Sequence, residues 1–326
     1  MYLPHTEMIR WKAIGLILSI ILLNLLLLSC RSKPEESSGK DHPGTSLFVL
    51  GVAQDAGMPQ IGCTKSCCAS GLKKMVSSLG LYDVSSGSHW IFDATPDLPD
   101  QWRKFSEWTG STGTDNPDGI FLTHAHIGHY TGLMYLGLEA AHASQVKVYA
   151  MPRMMSFIQS NGPWSQLVKI GNILPVEIQS DEFIHITSSI KVKPIMVPHR
   201  DEFSETVGFE IIGEKRSVLY LPDINKWSAW QFQLSDMVAK HDYLFLDGTF
   251  FSGQELPGRD LSKVPHPFVL ETMEILKSLS PDAKRKVYFI HLNHTNPLLQ
   301  TTSAALALIK QSGLNVAEEG MRVDLN

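Results

Sequence analysis

Six stretches of strand-forming sequence end, at or within two residues of their last apolar position, in a side chain that can bind a metal: Asp93, His124, His199, Asp223, Asp247 and His291. No other feature constrains the fold as much. A chain built this way must bring its strand ends together along one edge of a sheet, where parallel strands usually place a site. The densest of the six ends is Thr123-His124-Ala125-His126-Ile127-Gly128-His129-Tyr130, directly behind the apolar run 119–122. In the turn after a strand, histidines at i and i+2 can point to one side. The residue at i+5 swings back toward them as the next helix begins. Neutral imidazoles suit zinc, iron or manganese and leave open positions for water.

Taken singly, the other ends have ordinary explanations. His199 and His291 can be structural or core histidines, and Asp223 can cap a helix starting near Trp227. Their recurrence at strand ends together with the triple histidine makes the site interpretation the stronger one.

The spacing of apolar residues predicts strands over 46–52, 79–84, 89–93, 119–122, 146–150, 191–197, 206–212, 217–221, 243–246 and 286–290, with a last short strand near 316–323. It predicts helices over 96–109, 131–143, 152–159, 228–240, 268–279 and 302–311. Both halves place a mixed sheet before their helices. That suits an α/β fold with two sheets packed face to face and helices outside, a four-layer αββα sandwich. No internal repeat is visible.

The first 45 residues follow a different rule. Residues 8–12 are basic, 13–28 are almost continuously apolar, and Leu27-Leu28-Ser29-Cys30 reads as a lipoprotein signal with Cys30 as the lipidated residue. An uncleaved membrane anchor is the alternative. Residues 1–29 are thus expected to be a signal peptide, 30–45 a flexible Ser/Gly/Pro-rich tether, and 46–326 the folded domain. The expected location is exported and membrane-anchored, on the periplasmic or outer-surface side. A net charge of -5 argues against a nucleic-acid partner. Cys63, Cys67 and Cys68 then remain. A disulfide, a structural metal and an active-site ligand all stay open for them, with a structural role favoured.

Asp93 in Phe92-Asp93-Ala94-Thr95, the His-x-His-x-x-His run, His199, Asp223 and His291 together resemble the ordered motifs of the metallo-β-lactamase superfamily. The resemblance spans about residues 46 to 326. More narrowly, the chain is similar to the pyrroloquinoline quinone biosynthesis protein B branch. The signs are Gly57-Met58-Pro59-Gln60 followed by a cysteine, Asn161-Gly162-Pro163-Trp164, Pro198-His199-Arg200, Asp247-Gly248-Thr249-Phe250 and His291-Leu292-Asn293-His294-Thr295-Asn296-Pro297. The resemblance implies a first metal site on His124, His126 and His199, a second on His129 and His291, and Asp223 bridging both. It implies that Asp93 orients a histidine from behind, and that cysteines near Cys63 can carry a structural zinc.

The chain departs from the superfamily pattern at Gly128, where an acid that binds the second metal is expected. A single-metal centre, a more open second metal, or a replacement ligand would each fit. Asp55, in Ala53-Gln54-Asp55-Ala56-Gly57, is the best-placed replacement, and an ordinary turn residue ahead of Gly57 is its other reading. Arg200, Asp247, His266, His294 and Asn296 are weaker pocket candidates.

The leading expectation is a lipid-anchored metallo-hydrolase acting on a small molecule, with one or two zinc ions and water as nucleophile. His199, Asp223 and Asp93 are its expected catalytic residues. An oxidative enzyme using iron, as the resemblance to the cofactor-biosynthesis branch implies, is the alternative, with manganese as a further metal. A non-catalytic metal- or ligand-binding lipoprotein is the third possibility.

Overall fold

The computed structural model describes residues 44–111 and 116–326. The signal peptide, Cys30 and most of the tether lie outside the described residues. Strands β1 (Thr45–Gly51), β2 (Ser78–Asp83), β3 (Ser88–Phe92), β4 (Gly119–Phe121), β5 (Val146–Ala150) and β6 (Ile173–Glu177) form the first sheet. The second contains β7 (Ile184–His185), β8 (Lys191–Met196), β9 (Val207–Ile212), β10 (Ser217–Leu221), β11 (Tyr243–Asp247), β12 (Val287–Ile290) and β13 (Asn315–Val316). The last strand, β14 (Arg322–Asp324), returns to the first sheet beside β1. The two sheet orders are β14-β1-β2-β3-β4-β5-β6 and β13-β12-β11-β10-β9-β8-β7. Each sheet joins an antiparallel part to a parallel part: β3 to β6 run parallel in one, β10 to β13 in the other.

Successive strand residues point to opposite faces, and here both faces are buried. Leu47 and Val49 of β1 enter the core between the sheets, while Phe48 and Leu50 enter the core under the outer helices. In β4 Phe121 points inward and Ile120 points outward beneath the helices, as does Leu122 just after the strand. A strand covered on both sides has no solvent face, which is why these segments read as continuous apolar runs. Between the sheets Phe92 and Phe121 lie 5.1 Å apart, and each sits 5.5 Å from Phe209 of the opposite sheet. The helices Leu98–Thr109 and Pro152–Ser160 cover the first sheet, and Leu234–Lys240, Val269–Leu276 and Ala304–Ser312 belong to the second half. The result is the expected αββα sandwich.

Four local expectations need correction. The helix expected over 131–143 is only a 3-10 turn, Thr131–Leu136. The chain turns extended at Gly137 and leaves the helix there, while the Gly132 N–H donates to the Ala94 carbonyl (2.9 Å) and fastens this segment to the chain after β3. The helix expected over 228–240 splits into Trp227–Ala229 and Leu234–Lys240. Trp230 lies between them in extended backbone, with its indole N–H donating to the Met196 carbonyl at 2.9 Å. The single strand expected over 316–323 is two strands in different sheets, β13 and β14, separated by a turn with Gly320 at φ 83°. The edge strands β6 and β7 and the helix Trp164–Lys169 were not expected. β6 carries Pro175, which breaks a strand pattern in the sequence but is tolerated on a sheet edge.

Candidate metal centre

The strand ends of both sheets meet along one edge, and two backbone details mark the place. Asp93, just after β3, and His291, just after β12, have φ of 69° and 61°. Non-glycine residues rarely adopt this region, and such strain gathers at functional sites.

Four ligand-type side chains form a first group. His124 Nε2 and His126 Nδ1 are 2.9 Å apart, and His199 Nε2 lies 3.3 Å from the same His126 atom. Asp223 Oδ2 faces all three, 3.1 Å from His199 Nε2, 3.4 Å from His124 Nε2 and 3.8 Å from His126 Nδ1. A second group is adjacent. His129 Nε2 is 3.2 Å and His291 Nε2 3.7 Å from Asp55 Oδ1, and His291 Nε2 is 4.0 Å from Asp223 Oδ2. In each group the donor atoms lie within 4.8 Å of one another.

The inward nitrogens are aimed by bonds at the other side of each ring. His129 Nδ1 donates to Asp93 Oδ2 at 2.8 Å. Thr123 Oγ1 donates to Asp93 Oδ1 (2.9 Å) and accepts from His124 Nδ1 (2.9 Å). The second sheet repeats the device: Thr249 Oγ1 donates to Asp247 Oδ1 (2.7 Å) and accepts from His291 Nδ1 (3.0 Å). Asn225 Oδ1 lies 3.2 Å from His199 Nδ1. Such outer bonds fix the tautomer and raise the basicity of a metal-binding imidazole. Thr123, Thr249 and Asn225 were missed in the sequence. A hydroxyl residue directly before His124, and one two residues beyond Asp247, was the available signal.

The donor set fits a metal. Asp55 Oδ1, His129 Nε2 and His291 Nε2 are buried and have no hydrogen-bond partner, an arrangement that is costly unless something else binds there. Among the described residues no Lys or Arg pairs with Asp55, Asp93, Asp223 or Asp247. Burial works against charge on His129, but Asp93 and Asp55 outweigh it and lift the ring to about 10. Burial likewise opposes ionisation of Asp223, yet His199 and His266 hold its pKa well below the usual carboxylate range. His124, enclosed and next to His129, is pushed well below 6.5 by burial first and by His129 second.

The weaker candidates separate. His266 Nδ1 sits 2.9 Å from Asp247 Oδ2 and 3.2 Å from Asp223 Oδ1. Burial lowers its pKa, but Asp247 and Asp223 raise it further, to about 9. His266 and Arg200 line a polar cavity of about 600 Å³ with Gln54, Arg259, Lys263 and Asn293. Arg200 Nη2 also reaches His126 Nε2 at 3.2 Å. Asp247 is fully buried and acts behind the site, since its carboxylate also accepts from the Ile224 and Thr249 N–H groups. Asn296 is a correction: it does not line the cavity but caps the turn Pro297–Leu299, accepting from Leu298 N–H and donating to the Gly248 carbonyl. His294 is also a correction, because it joins the cysteines. Cys63, Cys67, Cys68 and His294 form a separate four-donor group, with the Cys67 and Cys68 sulfurs 3.9 Å apart and all three thiols free. This argues against a disulfide and against a cysteine ligand in the histidine–aspartate centre. The set suits a tetrahedral Cys3His zinc site.

Known proteins place this geometry. Residues 89–292 match the family described as beta-lactamase superfamily domain. The coenzyme PQQ synthesis protein B of Acinetobacter baylyi is 26% identical over 320 residues, covering 86% of this chain and 99% of that protein. Its namesake from Klebsiella pneumoniae is 26% identical, covering 86% and 98%. The zinc-bound PqqB structure from Methylobacterium extorquens aligns with a TM-score of 0.68 at 20% identity, over 86% of this chain and 100% of that one. Two packed sheets with outer helices, a strand-end site and a family match over most of the fold lead to one conclusion: the chain belongs to the beta-lactamase superfamily and has the metallo-β-lactamase fold.

Proposed function

We propose that the protein is a metal-dependent hydrolase of a small, anionic substrate, using zinc. One observation carries this reading: two adjacent donor sets meet at Asp223, beside a polar cavity whose lining residues His266 and Arg200 contact Asp223 and His126. The residues that would hold the ions are His124, His126, His199 and Asp223 on one side and His129, His291 and Asp223 on the other. A divalent ion bound there supplies Lewis acidity toward the scissile group and acidifies a water molecule. Zinc is favoured by the donor chemistry and by the zinc-bound PqqB relative.

The chain's own residues divide the remaining work. Arg200, Arg259 and Lys263 outnumber the one acid, Asp260, lining the cavity and favour a negatively charged substrate. Asp93, Thr123, Asp247 and Thr249 keep the imidazoles aimed. His266 is held at Nδ1 by Asp247 and lines the cavity, so it can pass a proton from its Nε2 to a leaving group.

Likeness to the coenzyme PQQ synthesis proteins supports a second reading, an oxidative enzyme using iron. Metal analysis of protein purified without added metal separates the two. Zinc in the histidine–aspartate centre with oxygen-independent turnover supports hydrolysis. Iron with oxygen consumption supports oxidation, and an empty centre overturns both. The proposal includes export and anchoring through a lipid on Cys30. Its test is labelling with a radioactive fatty acid: the wild-type chain should incorporate label and Cys30→Ala should abolish incorporation. Absence of label in the wild-type chain, or label retained in Cys30→Ala, would remove the lipid on Cys30.

A further inference from the structure

We propose that Asp55 is the carboxylate ligand of the second metal, and that Gly128 is glycine because Asp55 occupies the space a side chain there would need. The inference rests on reading the histidine–aspartate cluster as a metal centre and concerns how that centre is completed.

Three observations converge. Asp55 Oδ1 points at His129 Nε2 and His291 Nε2, and all three atoms are buried without a hydrogen-bond partner. A turn aspartate ahead of Gly57 would accept a nearby N–H, but the Gly57 N–H donates to the Gln54 carbonyl instead. The turn therefore stands without the Asp55 carboxylate, which is left facing the histidines.

Position 128 supplies the second observation. A Cβ built there would fall 2.5 Å from both Asp55 Cα and Asp55 Oδ1, and 3.1 Å from Asp55 Cβ. Real Cβ atoms do not approach backbone so closely. Any residue other than glycine at 128 must push the Asp55 segment away from the histidines.

The third is the way the backbone delivers Asp55. Past the end of β1 the chain is laced to the residue after His291: Leu292 N–H donates to the Val52 carbonyl (2.8 Å), and Gln54 N–H donates to the Leu292 carbonyl (2.9 Å). Ala53 bridges Leu292 on one side and Val76 on the other, and the Asn293 amide donates to Gln54 Oε1 at 2.6 Å. Asp55 and His291 are thus set against each other by main-chain bonds between the two sheets. The acid expected beside His129 in sequence is delivered from a different loop to the same point in space.

The test compares the intact protein with Asp55→Asn, Gly128→Asp and the exchange Asp55→Gly/Gly128→Asp. Folding is checked by circular dichroism, and metal is measured by mass spectrometry and by cobalt(II) titration. Thiolate-to-cobalt charge-transfer absorption counts the ion on the cysteine group, and cobalt bound beyond that one ion is assigned to the histidine–aspartate centre, so losses are assigned to the right place. Asp55→Asn should weaken one of the two ions in that centre by about 100-fold or more and leave the thiolate bands unchanged. Gly128→Asp alone should also disturb the second ion, and the exchange should restore it. Two full-affinity ions in Asp55→Asn overturn the assignment of Asp55 while leaving the metal centre intact. Wild-type protein that binds no cobalt beyond the thiolate-bound ion overturns the centre itself and this inference with it.

Discussion

At the scale of single residues, the centre depends on groups that never face the cavity. Thr249 relays the Asp247 charge to His291 through one hydroxyl. Thr249→Val keeps the shape and removes the relay, and we expect a loss of second-site zinc affinity of about 10–100-fold, read by competition with a chelating dye. Far from the site, Glu210 on β9 is fully buried, with Lys193 Nζ 2.8 Å away, Lys240 paired to it, and His241 Nε2 at 3.1 Å. Burial raises its pKa, but His241 and the lysines bring it down from 4.5 to about 2. A depressed carboxylate contributes stability that is present above pH 4.5 and lost as pH falls toward 2. Thermal melts across that range should show wild-type protein losing stability. Glu210→Gln should start lower by roughly 2 kcal/mol and change less with acid.

At the scale of elements, what the sequence disclosed depended on how local the physics was. Strands buried on both faces announce themselves as apolar runs, so the ends that carry Asp93, His124, His199, Asp223 and His291 were legible together with their gathering at one edge. Asp55 was only half legible. Its turn looks ordinary in sequence, and its meaning depends on the bonds between Val52, Gln54 and Leu292, which join distant parts of the chain. The expected helix after Thr131 stops at Gly137, whose backbone is extended. β6 was hidden by Pro175, whose tolerance is decided by being an edge. The packing between sheets makes its own prediction. Phe209 touches Phe92 and Phe121 across the interface, so Phe209→Ala should cost roughly 3–5 kcal/mol in denaturant unfolding. The metal content of the folded fraction should not change.

At the scale of the whole molecule, each donor group draws on both sheets: His124, His126, His129 and Asp55 from the first, His199, Asp223 and His291 from the second. Bound ions would therefore hold the halves together, and removing them should loosen the fold as well as silence the site. Chelation should lower apparent stability by roughly 4 kcal/mol for an ion present at a thousand times its dissociation constant. Differential scanning calorimetry with and without chelator measures this, and an unchanged melting temperature would argue against bound metal. The same layout sets a timetable. A nascent chain exposes the triple histidine early, but the donor sets are complete only after His291 has been made, with β14 still to close on β1. No partial chain can retain a full centre. Metal choice is then made where the finished chain folds, and if the chain crosses a membrane unfolded, the ions available on the far side decide which metal it carries.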